Sequence, residues 1–183
     1  MVYRTKTYIA GDWTGDSDAV NQLYAWDDGD KWKFHFVDAH KQRQCYDSSM
    51  PCTIKASLSA RMNMSKTFVL IVGDKTAETR KGSCVYHNCN NKIYRYLGGY
   101  QCNVIGKTYS TESFIDYECR LARIAYENGV MKIVVLYNAA TVDKSKCPET
   151  LRNIGTHVAM KSRSFVTNKI NYDYQKVRSA IED

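Results

Sequence analysis

Apolar and polar positions along the chain change period in a regular order. Thr5-Lys6-Thr7-Tyr8-Ile9-Ala10 predicts a first strand that stops at Gly11-Asp12-Trp13-Thr14-Gly15-Asp16. Val20, Leu23 and Tyr24 then fall on one face of a helix, with Asp16 or Ser17 at its cap. After the turn Asp27-Asp28-Gly29-Asp30, the run Lys33-Phe34-His35-Phe36-Val37 predicts a second strand that delivers Asp38-Ala39-His40 to its C-terminal end. Pro51 opens the next helix, where Ile54, Leu58 and Met62 recur at helical spacing.

Two runs, Thr67 to Gly73 and Met131 to Tyr137, are apolar without alternation, as strands covered on both faces are. A helix between them, closed by Asn128-Gly129, makes a right-handed strand-helix-strand crossover. Thr156 to Met160 adds an edge strand, and Tyr174, Val177 and Ile181 mark a terminal helix. The pattern predicts an α/β domain over residues 1–183: a flavodoxin-like, doubly wound sheet of about five mainly parallel strands with helices on both faces. A C-terminal helical extension is expected over about 164–183. From about 77 to 110 neither period holds, which predicts an irregular insertion after the third strand.

The crossover helix carries the most informative residue. Phe114, Tyr117, Leu121, Ile124 and Ala125 form its apolar stripe, and Glu118 lies inside that stripe, roughly 40° from Phe114 and 20° from Ala125 at about 100° per residue. A carboxylate there must be paired, raised in pKa or turned toward a cleft. Pairing with Arg120, Arg123 or a neighbouring basic residue would make it architectural. Turned toward a cleft, a single carboxylate suits a reaction with a cationic transition state, such as N-glycosidic cleavage through an oxocarbenium ion.

The sheet topology gathers further candidates at one edge: Asp12 and Trp13 after the first strand, Asp38 and His40 after the second, Asp74 and Thr76 after the third. No Walker loop, GxGxxG or nucleophile elbow occurs. Composition changes this picture little. The net charge of +7 favours anionic partners, and no apolar run is long enough for a membrane helix. The N-terminus enters a strand pattern without an apolar signal core, so a cytoplasmic protein with no membrane partner is expected. Its seven cysteines are an odd number without framework spacing, so reduced thiols are the default. Within the insertion, Cys84, His87, Cys89 and Cys102 offer a thiolate and imidazole set for Zn²⁺, against which the one-residue gap between His87 and Cys89 counts. The tyrosines and basic residues there also suit nucleic-acid stacking, but such tyrosines more often pack a loop onto its own domain.

Several stretches together resemble the TIR-like family that includes the Thoeris anti-phage members: Lys6-Thr7-Tyr8-Ile9-Ala10, Phe34-His35-Phe36-Val37-Asp38-Ala39-His40, Thr53-Ile54-Lys55, Phe68 through Thr76, and Phe114-Ile115-Asp116-Tyr117-Glu118. The resemblance implies cleavage of NAD⁺ at the nicotinamide-ribose bond with Glu118 as the catalytic glutamate. It also implies a cyclic ADP-ribose-type signal that activates a separate effector. Asp12, Trp13, Asp38, His40, Thr76 and Tyr117 then become candidate substrate-binding positions. NAD⁺ is substrate, no further cofactor is expected, and homo-oligomerisation is. The chain departs from the family pattern in its long insertion and in Asp116, where a basic residue is expected. A catalytically silent signalling or scaffold module of the same fold is the alternative.

Overall fold

A computed structural model describes residues 6–29, 36, 50–84, 92–95, 99–102, 107–108 and 111–182. Its centre is a four-stranded parallel sheet of β1 (Lys6–Ala10), β2 (Ser65–Val72), β6 (Lys132–Tyr137) and β7 (Thr156–Ala159), in the order β1-β2-β6-β7. In register, Val69 of β2 lies opposite Val134 of β6, and β1 pairs with β2 on the other side. The run Lys33 to Val37 predicted as a further strand lies outside the described residues, Phe36 excepted.

Alternation of side chains along each strand explains the continuous apolar runs, because both faces are buried. Tyr8, Phe68, Leu70, Ile133 and Val135 point to one face, where α2 (Pro51–Met62) and α3 (Phe114–Glu127) cover them. Ile9, Val69, Ile71, Val134 and Leu136 point to the other, beneath α1 (Ser17–Asp27) and the terminal α4 (Tyr174–Glu182). Each large side chain enclosed in these layers stabilises the fold by about 1.5–3 kcal/mol.

Three sequence expectations are corrected. The inserted segment is not wholly irregular: β3 (Lys92–Arg95), β4 (Gly99–Cys102) and β5 (Lys107–Thr108) form an antiparallel sheet. Strands of two to four residues are too short to display a hydrophobic period. The C-terminal extension is helical only from Tyr174, because β8 (Lys161–Arg163) and β9 (Ile170–Tyr172) first form a hairpin. Asn168, at φ 56°, closes its turn in the left-handed region that asparagine tolerates. Finally, the buried face of α3 is Ile115, Glu118, Cys119, Ala122 and Ala125, so it is rotated from the predicted stripe, and Ile124 is 45% exposed.

Candidate functional site

Both ends of α3 are fixed by local sequence. Ser113, at the N-cap, accepts the Asp116 backbone N–H at 3.0 Å and donates its hydroxyl to the Asp116 carboxylate at 2.7 Å. At the other end Gly129, at φ 68°, donates its N–H to the Tyr126 carbonyl, while Val130 N–H reaches Ala125; this is the double closure of a Schellman motif. The start of the inserted segment is tied to the same helix: Phe114 N–H donates to the Lys81 carbonyl at 2.8 Å, and a Cβ on Gly82 would stand 2.4 Å from the Phe114 ring.

Facing α3, helix α2 presents two cations that the apolar period did not reveal. Lys55 and Arg61 are 5% and 7% exposed, at helical spacing around Leu58. Lys55 donates to the Glu112 carbonyl at 2.6 Å, and burial holds its ammonium below the ordinary lysine range. Its Nζ lies 5.6 Å from the Tyr117 ring centre, and the Arg120 guanidinium lies 5.2 Å from the same ring. Arg120 is itself held by the Glu112 carboxylate through two bonds of 2.6 and 3.1 Å, and Arg123 bonds Glu127. The two arginines suggested by sequence as partners of Glu118 are thus engaged with other carboxylates.

Glu118 is enclosed, at 4% exposed. The Tyr8 hydroxyl, from the middle of β1, donates to its Oε1 at 2.5 Å. Burial pushes its carboxyl up to about 7, against the lowering effects of the Tyr8 hydrogen bond and the positive charge of Arg61. Arg61 is oriented through Nη2 by Ser57 Oγ at 3.1 Å. A carboxyl with these neighbours exists in both protonation states near neutrality, and the positive charge of Arg61 favours its ionised form.

At the C-terminal edge of the sheet a different polar group assembles. Asp16, at the N-cap position of α1, does not cap it; its carboxylate accepts from Asn138 Nδ2 at 3.1 Å and lies so close to Gly73 that a Cβ there would be blocked. Burial pushes Asp16 up against that hydrogen bond, and the charges of Asp12, Asp18 and Asp74 add to the rise. Asn138 also bonds Asp18, which Tyr172 and Lys161 contact as well. Sequence reasoning missed Asn138 and Tyr172, which lie far along the chain from Asp16 and Asp18.

The predicted site residues divide accordingly. Glu118 and Tyr117 share α3 beside the α2 cations. Asp12 accepts the Thr14 N–H at 3.1 Å, and Trp13 packs at 6.3 Å against Tyr24 of α1, the helix on the sheet face opposite Glu118. Thr76 is 2% exposed and uses its hydroxyl to accept the Gly73 N–H at 2.8 Å, so it shapes the turn after β2. Asp38, His40, His87 and Cys89 lie outside the described residues. Cys84 and Cys102 are buried; among the described residues no group of three or more potential ligands is placed to hold a metal ion. His157 packs structurally: its Nε2 donates to the Ile154 carbonyl and its Nδ1 accepts from Tyr137, a neutral tautomer consistent with a pKa lowered by burial. A recess of about 450 Å³, lined among others by Lys132, Val158 and Lys176, lies between β7 and α4 and shares none of these residues.

A parallel sheet sandwiched by α1 and α4 on one side and by α2 and α3 on the other defines a flavodoxin-like α/β domain. Residues 8–82 match the family model described as Thoeris protein ThsB, TIR-like domain. This stretch, similar to the TIR-like domain of Thoeris ThsB, includes Tyr8, Asp12, Trp13, Arg61 and Thr76; Tyr117 and Glu118 follow it in sequence. No curated protein matches the chain. Among the described residues no helix is long and apolar enough to cross a membrane.

Proposed function

We propose that the chain cleaves NAD⁺ at its nicotinamide-ribose bond and produces a cyclic ADP-ribose-type signal in anti-phage defence. The observation that carries this reading is Glu118: an enclosed carboxyl near pKa 7, held by Tyr8 and balanced by Arg61, on the helix where the TIR-like resemblance expects the catalytic glutamate. In this mechanism the C1′–N1 bond breaks and its electron pair leaves with nicotinamide. Ionised Glu118 orients a ribose hydroxyl and stabilises the oxocarbenium that forms at C1′. Capture by water gives ADP-ribose, whereas attack by an atom of the same nucleotide gives the cyclic product; either releases one proton. Lys55 and Arg120, both near the Tyr117 ring, supply positive charge for a diphosphate.

The same enclosure favours a second reading. A carboxylate only 4% exposed, hydrogen-bonded to Tyr8 and beside Arg61, also serves a catalytically silent TIR-like module that assembles with partners. Nicotinamide release from NAD⁺ separates the two, with Glu118→Gln as control, in purified protein and in phage-challenged cells. Release that depends on Glu118 supports the enzyme. No release in either setting, or equal release by the variant, leaves the scaffold.

A further inference from the structure

Among the described residues, the β8–β9 hairpin carries the most exposed large apolar side chains. Phe165 and Val166, in the turn between Arg163 and Ile170, are 106% and 94% exposed, and Ile170 is 49% exposed. Single apolar side chains scattered over a surface are ordinary, but two at one apex that cover nothing of their own domain point to a partner.

This exposure is built into the turn. The Ser164 N–H donates to the Lys169 carbonyl and the Asn168 N–H to the Ser164 carbonyl, each at 2.9 Å, while the Thr167 N–H donates to Ser164 Oγ at 3.2 Å. Across the turn Arg163 Nη1 donates to Asn168 Oδ1 at 3.0 Å, with Asn168 in its left-handed conformation. At the base, the Tyr172 hydroxyl donates to the Asp18 carboxylate at 2.8 Å and Lys161 reaches it at 3.4 Å, which fixes the hairpin to α1. A turn held at its neck and at its base presents the apex outward instead of folding it back onto the core.

Charge and area decide what the apex fits. Residues 161–172 include Lys161, Arg163 and Lys169 and no acidic residue, so the complementary surface is anionic. Arg163 and Lys169 are exposed on the two arms of the turn. An aromatic side chain buries about 150–250 Å² and a valine less, so the apex falls well short of the roughly 800 Å² per partner that a stable protein interface needs. A lipid surface needs no matched pocket, because apolar side chains enter at the headgroup boundary while basic ones stay among the phosphates. We propose that the β8–β9 hairpin is a peripheral membrane-docking site: Phe165 and Val166 enter an anionic leaflet, and Arg163 and Lys169 meet its headgroups. Such docking needs no membrane-spanning helix and does not depend on the NAD⁺ reading.

The test is co-sedimentation of the full chain with vesicles of phosphatidylcholine alone, or of equal parts phosphatidylcholine and phosphatidylglycerol. The chain should bind the anionic vesicles and not the neutral ones, and release as salt rises from about 0.01 M to about 1 M, where screening shortens from about 30 Å to about 3 Å. Phe165→Ser with Val166→Ser should weaken binding roughly tenfold or more, and Lys169→Glu by a similar factor. Because these side chains are exposed, the variants should keep the parent's thermal midpoint. Insertion has its own readout: in Phe165→Trp, anionic vesicles should shift the added tryptophan emission to the blue, measured as the difference from the parent. No binding to anionic vesicles at low salt would overturn the proposal, as would equal binding to neutral ones, binding that the double serine variant leaves unchanged, or no blue shift. A lipid-free dimer, seen by sedimentation and lost in the double serine variant, would assign the apex to a second copy and overturn it as well.

Discussion

Replacing Glu118 by Gln should change how stability depends on pH, with a sign and size set by its surroundings. The carboxyl titrates near 7 in the folded chain against an ordinary 4.5. Below pH 4.5 it is protonated in both folded and unfolded chains; between 4.5 and about 7 the folded chain keeps a proton that the unfolded chain has lost. Stability from this group is therefore fully present below pH 4.5 and is lost as pH rises to about 7. Each pH unit across that interval removes up to about 1.4 kcal/mol, so the whole loss is about 3 kcal/mol. Glutamine does not titrate, and its carbonyl can still accept the Tyr8 hydroxyl. Urea unfolding of both proteins from pH 4 to pH 8 measures the effect, because subtracting the variant removes every other titrating group. The variant should gain about 3 kcal/mol relative to the parent across the series, or roughly 6–12 °C in thermal midpoint. A difference that stays flat, or that favours the parent as pH rises, would refute the burial argument.

Three other substitutions probe Glu118's hydrogen bond, the cap of its helix and the separate polar group around Asp16. Tyr8→Phe removes the hydroxyl that donates to Glu118 at 2.5 Å; it should cost about 1.5–3 kcal/mol above pH 7 and carry the pH-dependent decline to higher pH, read from the same urea series. Ser113→Ala removes both halves of the N-terminal cap of α3 and should cost about 1 kcal/mol, with faster hydrogen exchange at the Asp116 amide. Asn138→Ala removes the hydrogen bond that opposes the rise of Asp16, so the Asp16 carboxyl should rise further. The stability lost should be larger at pH 7 than at pH 4, measured by denaturant unfolding at the two pH values.

Much of the frame was legible because it follows from short-range rules. Phe68 to Val72 and Ile133 to Tyr137 are continuously apolar since each strand is buried on alternating sides, and Pro51 and Asn128-Gly129 mark helix ends through backbone geometry alone. Glu118 on the buried face of α3 was legible for the same reason, although the centre of that face is Cys119 and Ala122, which a stripe drawn through Phe114 and Ile124 displaces. The partners of Glu118 were not legible. Tyr8 is 110 positions away in the chain, and Arg61 looks like a solvent-facing helix residue until α2 is packed against α3. Lys55 is hidden likewise, because its role depends on the Glu112 carbonyl and the Tyr117 ring at the start of another helix. Of the candidate cleft residues, Trp13 turns toward Tyr24 and α1, whereas Glu118 lies on the sheet face covered by α2 and α3, a division that the order of strand ends in the sequence does not reveal.

Nicotinamide release from NAD⁺ as a function of pH tests the enzymatic role of Glu118 most directly. If the ionised carboxylate stabilises the oxocarbenium, release rises between pH 6 and pH 8 with a midpoint near its pKa of about 7, and Glu118→Gln lowers it by roughly a hundredfold or more. Release that Glu118→Gln leaves unchanged across that range, or no release by the parent in vitro and in phage-challenged cells, would contradict it.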